Sequence, residues 1–175
     1  MTPRLLLLPA VLLASACVAN IGQPQTRDEY IAVTKPGGTF RNVEQASVAR
    51  SFKTVMADLT EYSNKCLKIR TARSANYAAR EGASATQYNP RIEHTGSGAA
   101  ALSLQEYYET PGSPSGTKYA NSGLPEGGLY VLAAEIRSAA SNRTDLSIYY
   151  TTGRAPFAEQ LKKWAAGEKG RCPIN

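Results

Sequence analysis

Histidine is almost missing from this chain of 175 residues, with His94 as the sole imidazole. A serine or cysteine nucleophile working through a histidine base would have to use it. No G-x-S-x-G elbow accompanies it, and the neighbouring Gly96-Ser97-Gly98 reads as a turn. A hydrolase built on His94 is therefore the least supported functional reading, and the chain is read as non-catalytic. Cysteine is scarce as well: three residues, which with one histidine make no ligand set for a structural zinc ion. No phosphate loop of Walker type and no dinucleotide glycine fingerprint follows a strand-like segment, so neither a metal nor a cofactor is expected. Long apolar runs are absent too. The longest, Leu5 to Leu13, is interrupted by Pro9 and falls far short of the roughly 18–20 residues that span a bilayer.

That short run has another use. Met1 to Arg4 is a positive start, Leu5 to Leu13 an apolar stretch, and Ala14-Ser15-Ala16 a small-residue cleavage segment, together the pattern of a secretory signal over residues 1–16. Ala14-Ser15-Ala16-Cys17 resembles the lipobox of bacterial lipoproteins, although Leu13 stands one position further back than the usual leucine. Parity agrees with lipidation: three cysteines in an oxidising compartment leave one over, and acylation of Cys17 consumes it. Cys66 and Cys172 are then expected to form a disulfide. Val18 rather than aspartate follows Cys17, which by resemblance to lipoprotein sorting implies the periplasmic face of the outer membrane. The lipid supplies the membrane contact, at about 0.8 kcal/mol per buried CH₂.

Residues 17–38, with Gly22, Pro24, Pro36, Gly37 and Gly38, read as a lipidated N-terminus and tether, with a short edge strand as an option around Tyr30 to Val33. Residues 39–175 suit a single domain. In it Val48, Phe52, Val55, Met56, Leu59 and Tyr62 form a helical stripe. Its start has two candidate caps, Ser51 and the Asn42/Gln45 pair, and the former leaves Thr39 to Val48 free to be a strand. Cys66-Leu67-Lys68-Ile69-Arg70 alternates as a half-buried strand does. Further strands are expected near Thr86–Thr95, Ala99–Glu109, Leu129–Ser138 and Thr144–Thr151, the last two as a hairpin. In the third of these, Leu129, Val131 and Ala133 alternate with Tyr130, Leu132, Ala134 and Ile136, so both faces are apolar and the strand should be central. Pro156 opens a closing helix that buries Phe157, Leu161, Trp164 and Ala165 and ends at Gly167. Thr110 to Gly128, rich in glycine and proline, reads as a long loop and a candidate contact region.

Charge gives little direction. The net +6 becomes +5 once Arg4 leaves with the signal, and the basic residues are dispersed. The two densest groups, Lys65/Lys68/Arg70/Arg73 and Lys162/Lys163/Lys169/Arg171, read as solvated faces, so no nucleic-acid partner is expected. Glu106 and Glu109 read as solvated strand-end charges on opposite sheet faces. Ten tyrosines against one tryptophan is the clearest bias, and Tyr107, Tyr108, Tyr119, Tyr149 and Tyr150 form a candidate contact surface.

The order strand, helix, several strands, C-terminal helix, with the lipobox and the ending Trp164-Ala165-Ala166-Gly167…Cys172-Pro173, resembles small uncharacterised proteobacterial lipoproteins. A more distant likeness, in topology over about Thr39 to Gly170, is to the helix-grip domains of the lipoprotein component C of the outer-membrane β-barrel assembly machine. No functional residue carries over. The expectation is an α+β fold, an antiparallel sheet with two helices packed on one face, acting as a binding or scaffolding accessory toward an envelope protein. An apolar-ligand groove between the sheet and the Val48–Tyr62 helix is the alternative.

Overall fold

The computed structural model describes residues 22–34, 41–73, 84–109, 124–169 and 172–173. The segment expected to be a secretory signal, Cys17, Tyr119 and most of the Thr110–Gly128 stretch lie outside these residues. Eight residues ahead of the first strand form α1 (Arg27–Thr34), and then come β1 (Arg41–Val48), α2 (Phe52–Tyr62), β2 (Arg70–Arg73), β3 (Ser84–Gly96), β4 (Ala99–Glu109), β5 (Leu129–Ala140), β6 (Arg143–Thr151) and α3 (Ala155–Ala166). The strands make one antiparallel sheet in the order β1-β6-β5-β4-β3-β2, with β5 and β4 in the middle as the apolar faces of β5 require.

Ser51 settles where α2 begins. Its backbone is extended, and its Oγ accepts the Thr54 N–H at 3.3 Å, so Asn42 and Gln45 are left in β1, opposite Tyr150 and Ser147. At its far end α2 runs on into a π-helical turn, Ser63–Leu67, rather than into the strand expected from Cys66 to Arg70. Cys66 and Leu67 are both buried, which a strand alternating across one wet face cannot achieve, and pairing starts only at Arg70.

One face of the sheet carries the main core. Val55, Met56 and Leu59 of α2 and Phe157, Ala158, Leu161, Trp164 and Ala165 of α3 pack on Leu102, Leu104, Leu132, Ala134, Ile136, Leu146 and Ile148. Trp164 is 0% exposed and stacks on Tyr62 at 5.5 Å, a packing role as its spacing implied. Gly167 closes α3 in the left-handed region at φ 90°, where its N–H bonds to Trp164 and that of Glu168 to Lys163. Arg50 joins the two helices: it donates to the Ala165 carbonyl at 2.9 Å and pairs with Asp58 at 2.7 Å, a cation placed at the negative end of α3.

Two expectations change. The strict alternation along β5 breaks at a bulge, because Leu104 faces Leu132 while Gln105 faces Tyr130. The extra residue, Val131, turns into the main core beside Leu132, and Tyr130 joins Ala133 on the other face. On that other face sits α1, in the stretch read as tether and optional edge strand. Thr26 Oγ1 accepts the Glu29 N–H at 3.2 Å and the Glu29 carboxylate accepts the Gln25 N–H at 2.7 Å, a variant of the capping box that starts a helix. Tyr30, Ile31 and Thr34 are buried against Ala133 and Tyr149, so folded structure begins well before residue 39.

Cys66 and Cys172 are disulfide-bonded, with Cα atoms 5.0 Å apart and a separation of 106 residues. The bond clamps the end of α2 to the tail beyond α3. For a loop of that length the chain-entropy argument gives about 4–5 kcal/mol. Replacing both cysteines by alanine should lower the urea-unfolding free energy by about 2–5 kcal/mol, and peptide mapping without reductant should recover a Cys66–Cys172 peptide from the wild type. An unchanged midpoint, or two free thiols, would contradict the clamp.

Candidate functional site

His94, the only candidate base, lies exposed near the end of β3 and meets the edge of the Phe52 ring at 6.2 Å. It borders a shallow cleft of about 540 Å³ along the outer side of α2, with Phe52, Met56, Ala57, Thr60 and Glu61. The cleft thus brings a hydroxyl and a carboxylate into its neighbourhood. Among the described residues His94 makes no hydrogen bond, and its ring contact is with Phe52. Among the same residues no group of three or more His, Cys, Asp or Glu could hold a metal ion, and no helix is long and apolar enough to cross a membrane.

The tyrosines do not form one surface. Tyr149 and Tyr150 are adjacent in β6 and therefore face opposite sides of the sheet, and both are buried, at 7% and 6% exposure. Neither ring is available to a partner as folded. Tyr107 is half-buried, and Tyr108, at 36%, is the most exposed large apolar side chain among the described residues. Of the proposed contact residues, Tyr149 and Tyr150 are withdrawn from the surface, Tyr107 and Tyr108 are partly or well exposed, and Tyr119 lies outside the described residues.

The buried hydroxyls instead serve charge clusters. Glu106, expected in solvent, is only 6% exposed: it continues the core-facing positions of Leu102 and Leu104. Its carboxylate accepts hydrogen bonds from the Tyr108 hydroxyl at 2.6 Å and from Arg154, which stands just before α3. Burial, then hydrogen bonding to Glu106 and its charge, push the Tyr108 phenol up to about 12. Burial is the largest influence on the Arg154 guanidinium and works against its charge, but the charges of Glu106 and Tyr88 and the hydrogen bond to Glu106 together outweigh it, and the net shift is upward. This tie anchors the start of α3 to β4.

A second cluster holds the other end of the sheet. Glu44 of β1 accepts from Tyr150 and from Lys162 of α3, the latter at 2.5 Å, and Lys162 also reaches Glu159 at 2.7 Å. Burial alone would raise the Glu44 pKa, yet the bonds from Lys162 and Tyr150 bring it below the ordinary 4.5. The hydrogen bonds that Lys162 donates to Glu159 and Glu44 outweigh burial and raise its pKa. Tyr150 is pushed up to about 12 by burial and by Glu44. Neither cluster leaves a free acid–base pair, because each carboxylate is already occupied by a cation and a phenol.

The open part of the molecule is the sheet face around α1. Three grooves lie there. One, of about 570 Å³, is bordered by Arg27 and Ile31 of α1 with Thr95, Ala101, Glu135 and Arg137. A second, of about 640 Å³, runs along Gln45, Ser47, Asp145 and Ser147 and shares Glu135 and Arg137 with the first. A third, of about 250 Å³, lies between Arg27, Arg91, Ser103 and Tyr130. Small side chains in β4 form the floor and charged ones the rim. The rim alternates in sign, with Arg137 beside Glu135 at 3.2 Å, so it suits polar contact with another protein rather than an anion-specific site. The sequence signal for this surface was the run Ala99-Ala100-Ala101 with Ser103, unread because small residues have no chemistry of their own.

The clusters set the pH response. Glu44 titrates below its ordinary 4.5 when folded, so its contribution is complete above that pH and lost as pH falls through the lowered value. Tyr108 and Tyr150 sit at about 12 against an ordinary 10.0, so theirs is complete below pH 10 and lost as pH rises through 12. Titration of tyrosinate absorbance should show these two phenols ionising well above pH 10, and Tyr108→Phe and Tyr150→Phe should each remove one late proton; simultaneous ionisation of all the tyrosines near pH 10 in folded protein would refute the assignment. Glu106→Gln, which leaves Arg154 unpaired, should cost about 3 kcal/mol in urea unfolding, the low end for breaking a buried pair. A loss below about 0.5 kcal/mol would place the pair among surface ion pairs.

No protein-family model matches this chain, and no curated protein is significantly similar to it.

Proposed function

We propose that the chain is an envelope lipoprotein, anchored through Cys17 to the periplasmic face of the outer membrane, whose domain acts as a non-catalytic binding or scaffolding accessory for another envelope protein. The observation that carries this reading is the disulfide. Of three cysteines two are bonded to each other, which leaves Cys17 as the odd one, directly after the small-residue segment of a secretory signal. The grooved, mixed-charge sheet face supports protein contact, since its alternating signs give orientation rather than bulk attraction. The likeness to helix-grip lipoprotein domains belongs to this reading as well, through two helices on one face of an antiparallel sheet.

A second reading has its own observation. The cleft beside Phe52, Met56, Ala57 and His94 is mostly apolar and falls within the size range of small-ligand sites, so an apolar ligand is the alternative. It differs from the first by where a variant acts: Ala57→Arg, at an exposed position lining the cleft, would block it and spare the opposite sheet face.

Metabolic labelling with a palmitate analogue should mark the wild type and not Cys17→Ser, and the variant should leave the membrane fraction with its fold intact. Equal labelling, or a Cys17→Ser protein that stays with the membrane, would overturn the anchor. His94→Ala should leave fold and cellular role unchanged in a complementation assay; loss of the role at normal protein level would bring the hydrolase back.

A further inference from the structure

The sheet face opposite α2 and α3 has a small core of its own. From α1 only Tyr30, Ile31 and Thr34 are buried, and they rest on Ala133 and Tyr149 with Val43 and Tyr130 at the margin. Tyr30 meets the Tyr130 ring at 6.1 Å. Eight residues are too few to hold a helix in water, where about 12–15 is already marginal, so α1 exists by virtue of its docking. The charged side chains at its start are engaged within its own segment: Arg27 pairs with Asp28 at 2.7 Å, and Glu29 receives the Gln25 N–H.

The sheet beneath has a different source of stability. Its six strands are all joined by antiparallel ladders, its larger core lies on the far side under α2 and α3, and the Cys66–Cys172 bond closes that side. Removing α1 takes nothing from those contacts. Elements with little buried apolar surface open locally at a small fraction of the global unfolding cost, and α1 is such an element.

We propose that α1 is a strap that opens and recloses over this face while the rest of the domain stays folded. Opening bares Val43, Tyr130, Ala133 and Tyr149 and makes them continuous with the grooves that meet at Glu135 and Arg137. The result is a trough across β4, β5, β6 and β1 with an apolar centre and a charged rim, closed in the docked state by the chain's own N-terminal helix. The strap therefore gates access to the face, whether or not Cys17 carries a lipid.

Hydrogen exchange followed by mass spectrometry on the full-length disulfide-bonded protein tests this. Amides of Tyr30 to Thr34 should exchange about 100-fold or more faster than those of Ala133 and Ile148 in the sheet. Protection of α1 within about tenfold of β5 and β6 would mean that it opens only with global unfolding, and would overturn the proposal. Ile31→Asp gives an independent arm. It should remove α1 protection, raise hydroxyl-radical labelling of Tyr130 and Tyr149, and leave exchange in β4 and β6 and the urea midpoint as in the wild type. Loss of protection throughout the sheet, or no gain in labelling, would show α1 to be an integral part of the fold rather than a strap.

Discussion

The structure depends on α2 and α3 burying their apolar sides against the same face of one sheet. Trp164, Leu59 and Leu161 fill the space between the helices and the strands, and each is essentially inaccessible to water. That contact is non-local: α2 follows β1, α3 ends the chain, and they meet over β6, β5 and β4. Everything that fixes the two helices relative to each other reinforces it, namely the Cys66–Cys172 bond at one end and Arg50 with Asp58 and the Ala165 carbonyl at the other.

A sheet face that is mostly aliphatic exacts conditions on the polar groups it contains. Glu106 and Glu44 occupy positions that point toward the helices, and a carboxylate there needs a cation and hydrogen-bond donors to offset its desolvation. Arg154 with Tyr108, and Lys162 with Tyr150, meet that need in matching fashion. Arg154 stands just before α3 and Lys162 within it, so the two clusters tie the helix to the sheet at two points along its length. Their worth is in orientation more than in net stability, since an apolar core of the same volume would serve folding as well.

The opposite face follows other rules. It has enough apolar surface to seat two turns of helix and no more, and the remainder is small or charged. The sheet thus uses one face for folding and leaves the other largely open.

Several features were legible in the residues alone because their signals are local or strictly periodic. The stripe from Phe52 to Tyr62, the proline and glycine that bound α3, the long strands of the second half and their hairpin, and the pairing of Cys66 with Cys172 all stand as the residues implied. The segment Thr26-Arg27-Asp28-Glu29 also carried a helix-start signal, but a stripe of only Tyr30, Ile31 and Thr34 is too short to distinguish a helix from a tether. Tertiary structure alone decided the rest. Cys66 and Leu67 begin the segment that ends in alternating Lys68, Ile69 and Arg70, yet both are buried, because α2 overshoots into a π-helical turn before pairing begins. Val131 changes face because β5 bulges against β4, which no single strand can announce. In the sequence Glu106 reads as a solvated charge because its partner, Arg154, lies 48 residues away, and burial of an ion pair is a property of two segments that only the fold brings together.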